Sequence, residues 1–236
     1  MLAGVAGNVV RGNFMAIPLV LSALVLGVAV IWLGIWLNQR RIQIMFRQPT
    51  PERLIENYRA TLLHARARKI PNAEAVASYL SALAATIYGQ FDRAREELAL
   101  VDWAKVPPMY QGHRLHLLAL IALLEKRDTS GARQLAAEAR ELEKTDAAGG
   151  LPVLDGAILV AIGENDNDDN DGNAALQRTR RAANRGVGAM PALCAWALSL
   201  HFERSEQPAE AARYRERARE AAPHFIGLGI FDLNLR

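Results

Sequence analysis

The chain has 236 residues, 51% of them hydrophobic and 6% aromatic, and a net charge of +3. That length fits one ordinary domain plus an anchor, or two small domains. A single cysteine, Cys194, excludes an internal disulfide, and the lack of any CxxC spacing excludes the common zinc frameworks.

Residues 1–13 form a short N-terminal segment. The next 24, Phe14 to Leu37, carry no charge. As a helix they would be about 36 Å long at ~1.5 Å per residue, against a hydrocarbon core of ~30 Å. Trp32 and Trp36 stand near the C-terminal end of the stretch, where amphipathic rings favour the membrane boundary. A cleaved signal peptide would have an apolar region of roughly 7–15 residues and a small-residue cleavage site. This stretch runs instead into Leu37-Asn38-Gln39-Arg40-Arg41. A single transmembrane helix over 14–37 is therefore predicted.

A basic juxtamembrane linker follows at 38–50. Between Asn38 and Ile70 eight basic residues face Glu52 and Glu56, a local balance of +6. From Pro71 onward 19 basic residues face 23 acidic ones, a balance of −4. Arg40, Arg41 and Arg47 are expected to contact anionic headgroups at the membrane surface. The positive-inside rule places the following domain in the cytoplasm, with a periplasmic or other extracytoplasmic domain as the alternative.

After Pro49-Thr50-Pro51 apolar residues recur at helical spacing through residue 223. A first helix ends near Lys69, and a second opens at Pro71-Asn72 and is broken by Gly89. Phe91 to Trp103 is its partner, and Pro107-Pro108 ends that pair. Helices are then expected at about Tyr110–Lys126, Ser130–Thr145, Leu151–Ile162, Asn173–Arg185, Ala189–Phe202 and Pro208–Ala221. The fold class is all-α. An apolar tail, 224–236, is left to dock on the last pair or on a partner.

The pairs repeat. An alanine falls early in each second helix, at Ala94, Ala132, Ala175 and Ala211, with separations of 38, 43 and 36 residues. The long interval contains the acidic loop 164–172. A small residue recurring there lets two helices approach closely. Ala82, Gly89, Phe91, Ala94, Leu98 and Pro107 together make the chain resemble the tetratricopeptide repeat family. Leu198, Ser199, Phe202, Ala211, Ala218 and Pro223 resemble it again, though Glu206 stands at the usual turn glycine and Arg215 at a large apolar position. The resemblance covers about Pro71 to Pro223. It implies an α-solenoid of antiparallel helix pairs whose concave face binds proteins or peptides.

On that implication Tyr110, His113, Arg114 and His116 are the candidate partner-binding groove, since they lie on the first helix of a pair. Arg114 and the histidines suit an acidic peptide. His113 and His116 are three apart and supply one metal-ligand pair without a third ligand, so no metal site is expected. Asn167, Asp169 and Asp171 before Gly172 imitate the start of a calcium loop, but Arg178 stands where its bidentate glutamate belongs. Arg178–Arg185 and Arg213–Arg219 are basic runs with Tyr214 as their one aromatic, which argues against nucleic acid. Cys194 sits in an apolar run, and no GxSxG, HExxH or phosphate-cradling loop is present. No catalytic residue and no cofactor are therefore expected. The expectation is a membrane-anchored interaction module, adaptor or scaffold, with a structural subunit of a larger membrane complex as the alternative and a membrane-bound enzyme as a distant third.

Overall fold

The computed structural model describes residues 32–34, 36–37, 40–144, 153–164 and 170–232. Among the described residues every regular element is helical and no strand occurs. The chain divides into two units, 1–42 and 43–236. In the first, residues 32–34, 36–37 and 40–42 are helical, and the Arg40 guanidinium lies 5.1 Å from the Trp36 ring centre. Residues 1–13 and most of the predicted span Phe14–Leu37 lie outside the described residues. Among those described, no helix is long and apolar enough to cross a membrane.

The second unit contains α1 (Glu52–Ala67), α2 (Ala73–Ile87), α3 (Phe91–Ala99), α4 (Pro108–Ile121), α5 (Thr129–Lys144), α6 (Val153–Ile162), α7 (Asn170–Ala183), α8 (Ala189–Arg204), α9 (Pro208–Ala221) and α10 (Gly227–Asp232). Helix α4 continues into one π turn, Ala122–Lys126. Several boundaries differ from expectation for identifiable reasons. Helix α3 stops at Ala99 because Trp103 folds back, its indole N–H donating to the Leu98 carbonyl at 2.6 Å. Pro108 does not close the first pair but opens α4, where its missing N–H is no loss. Helix α7 starts at Asn170, so Asp171 and Gly172 belong to a helical turn; Asn167 and Asp169 lie outside the described residues.

Among the described residues four antiparallel pairs follow α1, namely α2/α3, α4/α5, α6/α7 and α8/α9. Each first helix ends on a residue with positive φ: Gly89 (+74°), Arg127 (+54°), Gly163 (+85°) and Glu206 (+55°). Ala94, Ala132 and Ala211 each follow five residues later, and Ala175 follows twelve later because the acidic loop intervenes. All four alanines are fully buried. At the first turn the Gln90 N–H donates to the Ala85 carbonyl (2.9 Å), and at the last the Gln207 N–H donates to the Phe202 carbonyl (2.8 Å). Both are Schellman closures, and Glu206 occupies the position that glycine fills in the first pair.

The first helices of the pairs lie inside and the second ones outside. Helix α6 reads VLDGAILVAI and α8 is apolar around most of its circumference, the pattern of helices buried on all sides. Inner helices pack in sequence, α2 on α4, α4 on α6 and α6 on α8, and α2 also meets α8. Ile87, Leu117, Leu120, Leu154, Ile158, Leu193 and Leu198 fill the interior from all four.

Both ends of the unit reinforce that closure. The Ile226 N–H donates to the Ile87 carbonyl at 2.8 Å, and Phe225 meets Trp196 of α8 edge-on at 5.9 Å. The Ile226 side chain lies 3.0 Å from where a Cβ on Gly89 would stand, so this turn needs glycine for space as well as for φ. The tail thus docks on the first and last pairs together. Phe46 is buried beside Gly188, and the Tyr88 hydroxyl lies 3.1 and 3.0 Å from the Phe46 and Gln48 carbonyls. Burial, with Glu52 and Tyr58 nearby, pushes that hydroxyl up to about 12. Residues 46–48, expected in a linker, therefore belong to the packed domain.

Candidate interaction surface

The four residues expected to line a groove separate in the structure. Tyr110 and His113 are half-buried at the edge of α4, their rings 6.0 Å apart, with Tyr79 of α2 5.7 Å from His113. Burial, and then the neighbouring His116, holds His113 below its usual value, so it is neutral at pH 7. Arg114 is half-buried, its Nε without a hydrogen-bond partner among the described residues. His116 is fully buried and faces no groove. Its Nε2 lies 3.0 Å from Asp155 Oδ1 of α6, and Arg140 Nε of α5 lies 3.4 Å from the same oxygen. Arg140 also reaches Glu164 at 3.9 Å, a carboxylate that Arg133 contacts as well.

The correction at His116 has a plain cause. Helix α6 is apolar nearly all round, and the side of α4 that meets it is packed and lines no open groove. The polar pair sealed there is held by the His116–Asp155 bond and by Arg140, which reaches the same carboxylate oxygen. His116 and Asp155 resemble a base and its orienting carboxylate, but the pair is closed to substrate and fixes the register of α4, α5 and α6. Among the described residues no group of three or more candidate ligands is placed to hold a metal. Asp155 went unnoticed in the sequence, although one carboxylate in a ten-residue apolar helix was the available signal.

A different surface is open. Only Leu54 and Ile55 of α1 are buried, so the helix from Glu56 onward is uncovered on several sides. Between its later half and the start of α2 lies an apolar cavity of about 200 Å³, lined by Tyr58, Leu62 and Ala65 of α1, Val76 and Leu80 of α2, and Tyr110. Ile70 and Val76 are exposed at its margin, and Leu63 is exposed on α1 nearby. On a helical projection Tyr58, Leu62 and Ala65 form one stripe, with Arg59 and Arg66 on one flank and Arg68 on the other. Glu97 holds Arg59 at 2.6 Å and Glu74 holds Arg66 at 2.8 Å. Arg68 and Lys69 are exposed and make no ion pair among the described residues.

The remaining basic residues do varied work. Arg40, Arg41 and Arg47 are exposed. Arg204 donates to the Ala161 and Val160 carbonyls at the end of α6 (2.9 and 2.5 Å), and Arg217 donates to the Ala183 carbonyl at the end of α7 (2.9 Å). Arg180 lies over the Phe202 ring at 5.4 Å, and Arg215 pairs with Glu203 at 2.8 Å. These arginines bind helix ends, a ring and a carboxylate of their own domain. Cys194 is buried, and burial pushes its thiol up to about 12. Comparison of the chain with family models, curated proteins and solved structures returned no match.

Proposed function

We propose that the protein is a membrane-anchored interaction module, an adaptor or scaffold of tetratricopeptide type that organises protein partners at a membrane. The observation that carries this reading is the fourfold recurrence of a helix pair with the same turn conformation and the same buried alanine. Stacked repeats of this kind present extended surfaces on which partners bind. Support for the anchor comes from the charge-free stretch Phe14–Leu37 and the +6 segment after it. Tethering would raise the effective concentration of a bound partner near membrane targets.

The deciding experiment joins two measurements. Crosslinking in native membranes should recover a protein partner, and substitutions on the exposed surface of the domain should abolish its recovery. A topology reporter fused after Arg236 should report a cytoplasmic domain. Recovery of no partner would remove the adaptor reading, and an extracytoplasmic reporter would overturn the cytoplasmic placement of the domain.

The closed interior favours a second reading, a structural subunit of a membrane complex. Among the described residues, inner helices that pack on one another leave no open concave groove for an extended peptide. Mild-detergent purification separates the two readings: fixed stoichiometry supports the subunit, and salt-sensitive, substoichiometric capture supports the adaptor.

A further inference from the structure

We infer that the cleft between α1 and α2 is the partner site, and that it receives an acidic amphipathic helix with one large apolar side chain seated in the cavity. This rests on the adaptor reading and names its site and partner class. Three observations carry it, beginning with the position of α1. Each later outer helix lies against the inner helix of its own pair, whereas α1 has no pair of its own and packs on the flank of α2, with ion pairs to α3. Its apolar stripe, Tyr58, Leu62 and Ala65, is only half-buried, in contrast to the buried Leu54 and Ile55 that precede it.

The second observation is the cavity. At about 200 Å³ it has room for one large side chain, and its walls are apolar except for Thr61 and the tips of Tyr58 and Tyr110. Concave apolar sites with aromatic walls are where a single anchor residue contributes most to an interface. A partner helix presents such anchors at i, i+3 or i+4 and i+7, which suits a cleft running along two antiparallel helices.

The third observation is charge. Cations flank the stripe on both sides, and Arg68 and Lys69 at the turn make no ion pair among the described residues. Everything from Pro71 onward is net acidic, so this rim is a local positive patch. A partner with carboxylates beside its apolar anchors would meet it with complementary potential.

The test uses the full chain in phosphatidylcholine nanodiscs. The probe is a labelled synthetic helix of alanine and glutamate with leucine at i, i+4 and i+7. Binding by anisotropy should weaken roughly tenfold with Val76→Phe, which fills the cavity. The double variant Arg68→Glu/Lys69→Glu, exposed and outside the packing, should weaken it by a similar factor, as should raised salt. A lysine-for-glutamate probe should not bind. Equal binding of that probe, or no response to either variant, overturns the proposal. Displacement of the probe by phosphatidylserine nanodiscs overturns it in favour of a lipid surface, and a self-association lost in Val76→Phe overturns it in favour of a second copy. The adaptor reading survives these failures if crosslinking still recovers a partner that ignores Val76→Phe, and falls with them if no partner is recovered.

Discussion

Glu206 and Gly89 adopt the same left-handed conformation at equivalent turns, yet only Gly89 does so without a Cβ. An L-residue in that region costs about 1–2 kcal/mol, while glycine adds back about 0.4–1 kcal/mol of unfolded-state freedom. Glu206→Gly should therefore stabilise the protein by about 0.5 kcal/mol, read as a raised urea midpoint with unchanged slope. The same change is not available in reverse at Gly89, where the Ile226 side chain already occupies the space. His113 gives a prediction of a different kind. Its folded value lies below the ordinary 6.5 because burial disfavours the charged ring. As pH falls through 6.5 the unfolded chain takes up the proton first, so this group's share of stability is complete above 6.5 and declines below it. The loss cannot exceed about 1.36 kcal/mol per pH unit for one proton. His113→Gln should flatten the dependence of stability between pH 6.5 and 5.5; an unchanged slope would assign it to another group.

At the scale of elements, much was legible because the signals were local. Helix α9 runs from Pro208 to Ala221 as expected, since proline opens it and an apolar period runs its length. The buried alanines were visible as a period, and they sit where outer helices approach inner ones. What was not legible depended on tertiary packing. Glu206 looked like a departure from the repeat, but a backbone conformation can persist while its preferred residue is lost. His116 looked like a groove residue, because its spacing says nothing of a helix arriving from 39 residues away to pair with it. The tail and Phe46 were undecidable for the same reason: apolar residues announce burial, not the partner. Gly156 shows how tight these contacts are. A Cβ there would stand 3.2 Å from Thr179 Oγ1 and 3.5 Å from the Ala175 carbonyl, across the α6–α7 contact. Gly156→Val should cost about 1–3 kcal/mol by forcing the pair apart. Thermal melting of the variant measures it, and an unchanged midpoint would mean that α6 and α7 can part freely.

At the scale of the packed domain, the decisive feature is that α2 meets α8. An open stack of pairs is stabilised between nearest neighbours, so damage to the first pair stays local and the last pair feels little of it. A closed circuit of inner helices, fastened by Ile226 on Ile87 and by Phe225 on Trp196, couples the ends directly. Cys194 makes the distinction measurable. It is the one cysteine of the chain, lies buried on α8 and carries a thiol pushed up to about 12, so alkylation at neutral pH needs the last pair to open. Leu98 is buried on α3, in the first pair. Leu98→Ala should remove about 2–5 kcal/mol from that pair. In the closed circuit the loss is shared, and alkylation of Cys194 should speed up by at least tenfold, with unfolding still a single transition. Should the pairs open one by one, Cys194 would react at its original rate while the first pair melts early. Mass spectrometry of timed iodoacetamide labelling separates these outcomes, because only a circuit closed by the α2–α8 contact and the docked tail carries a defect in α3 directly to a thiol in the last pair.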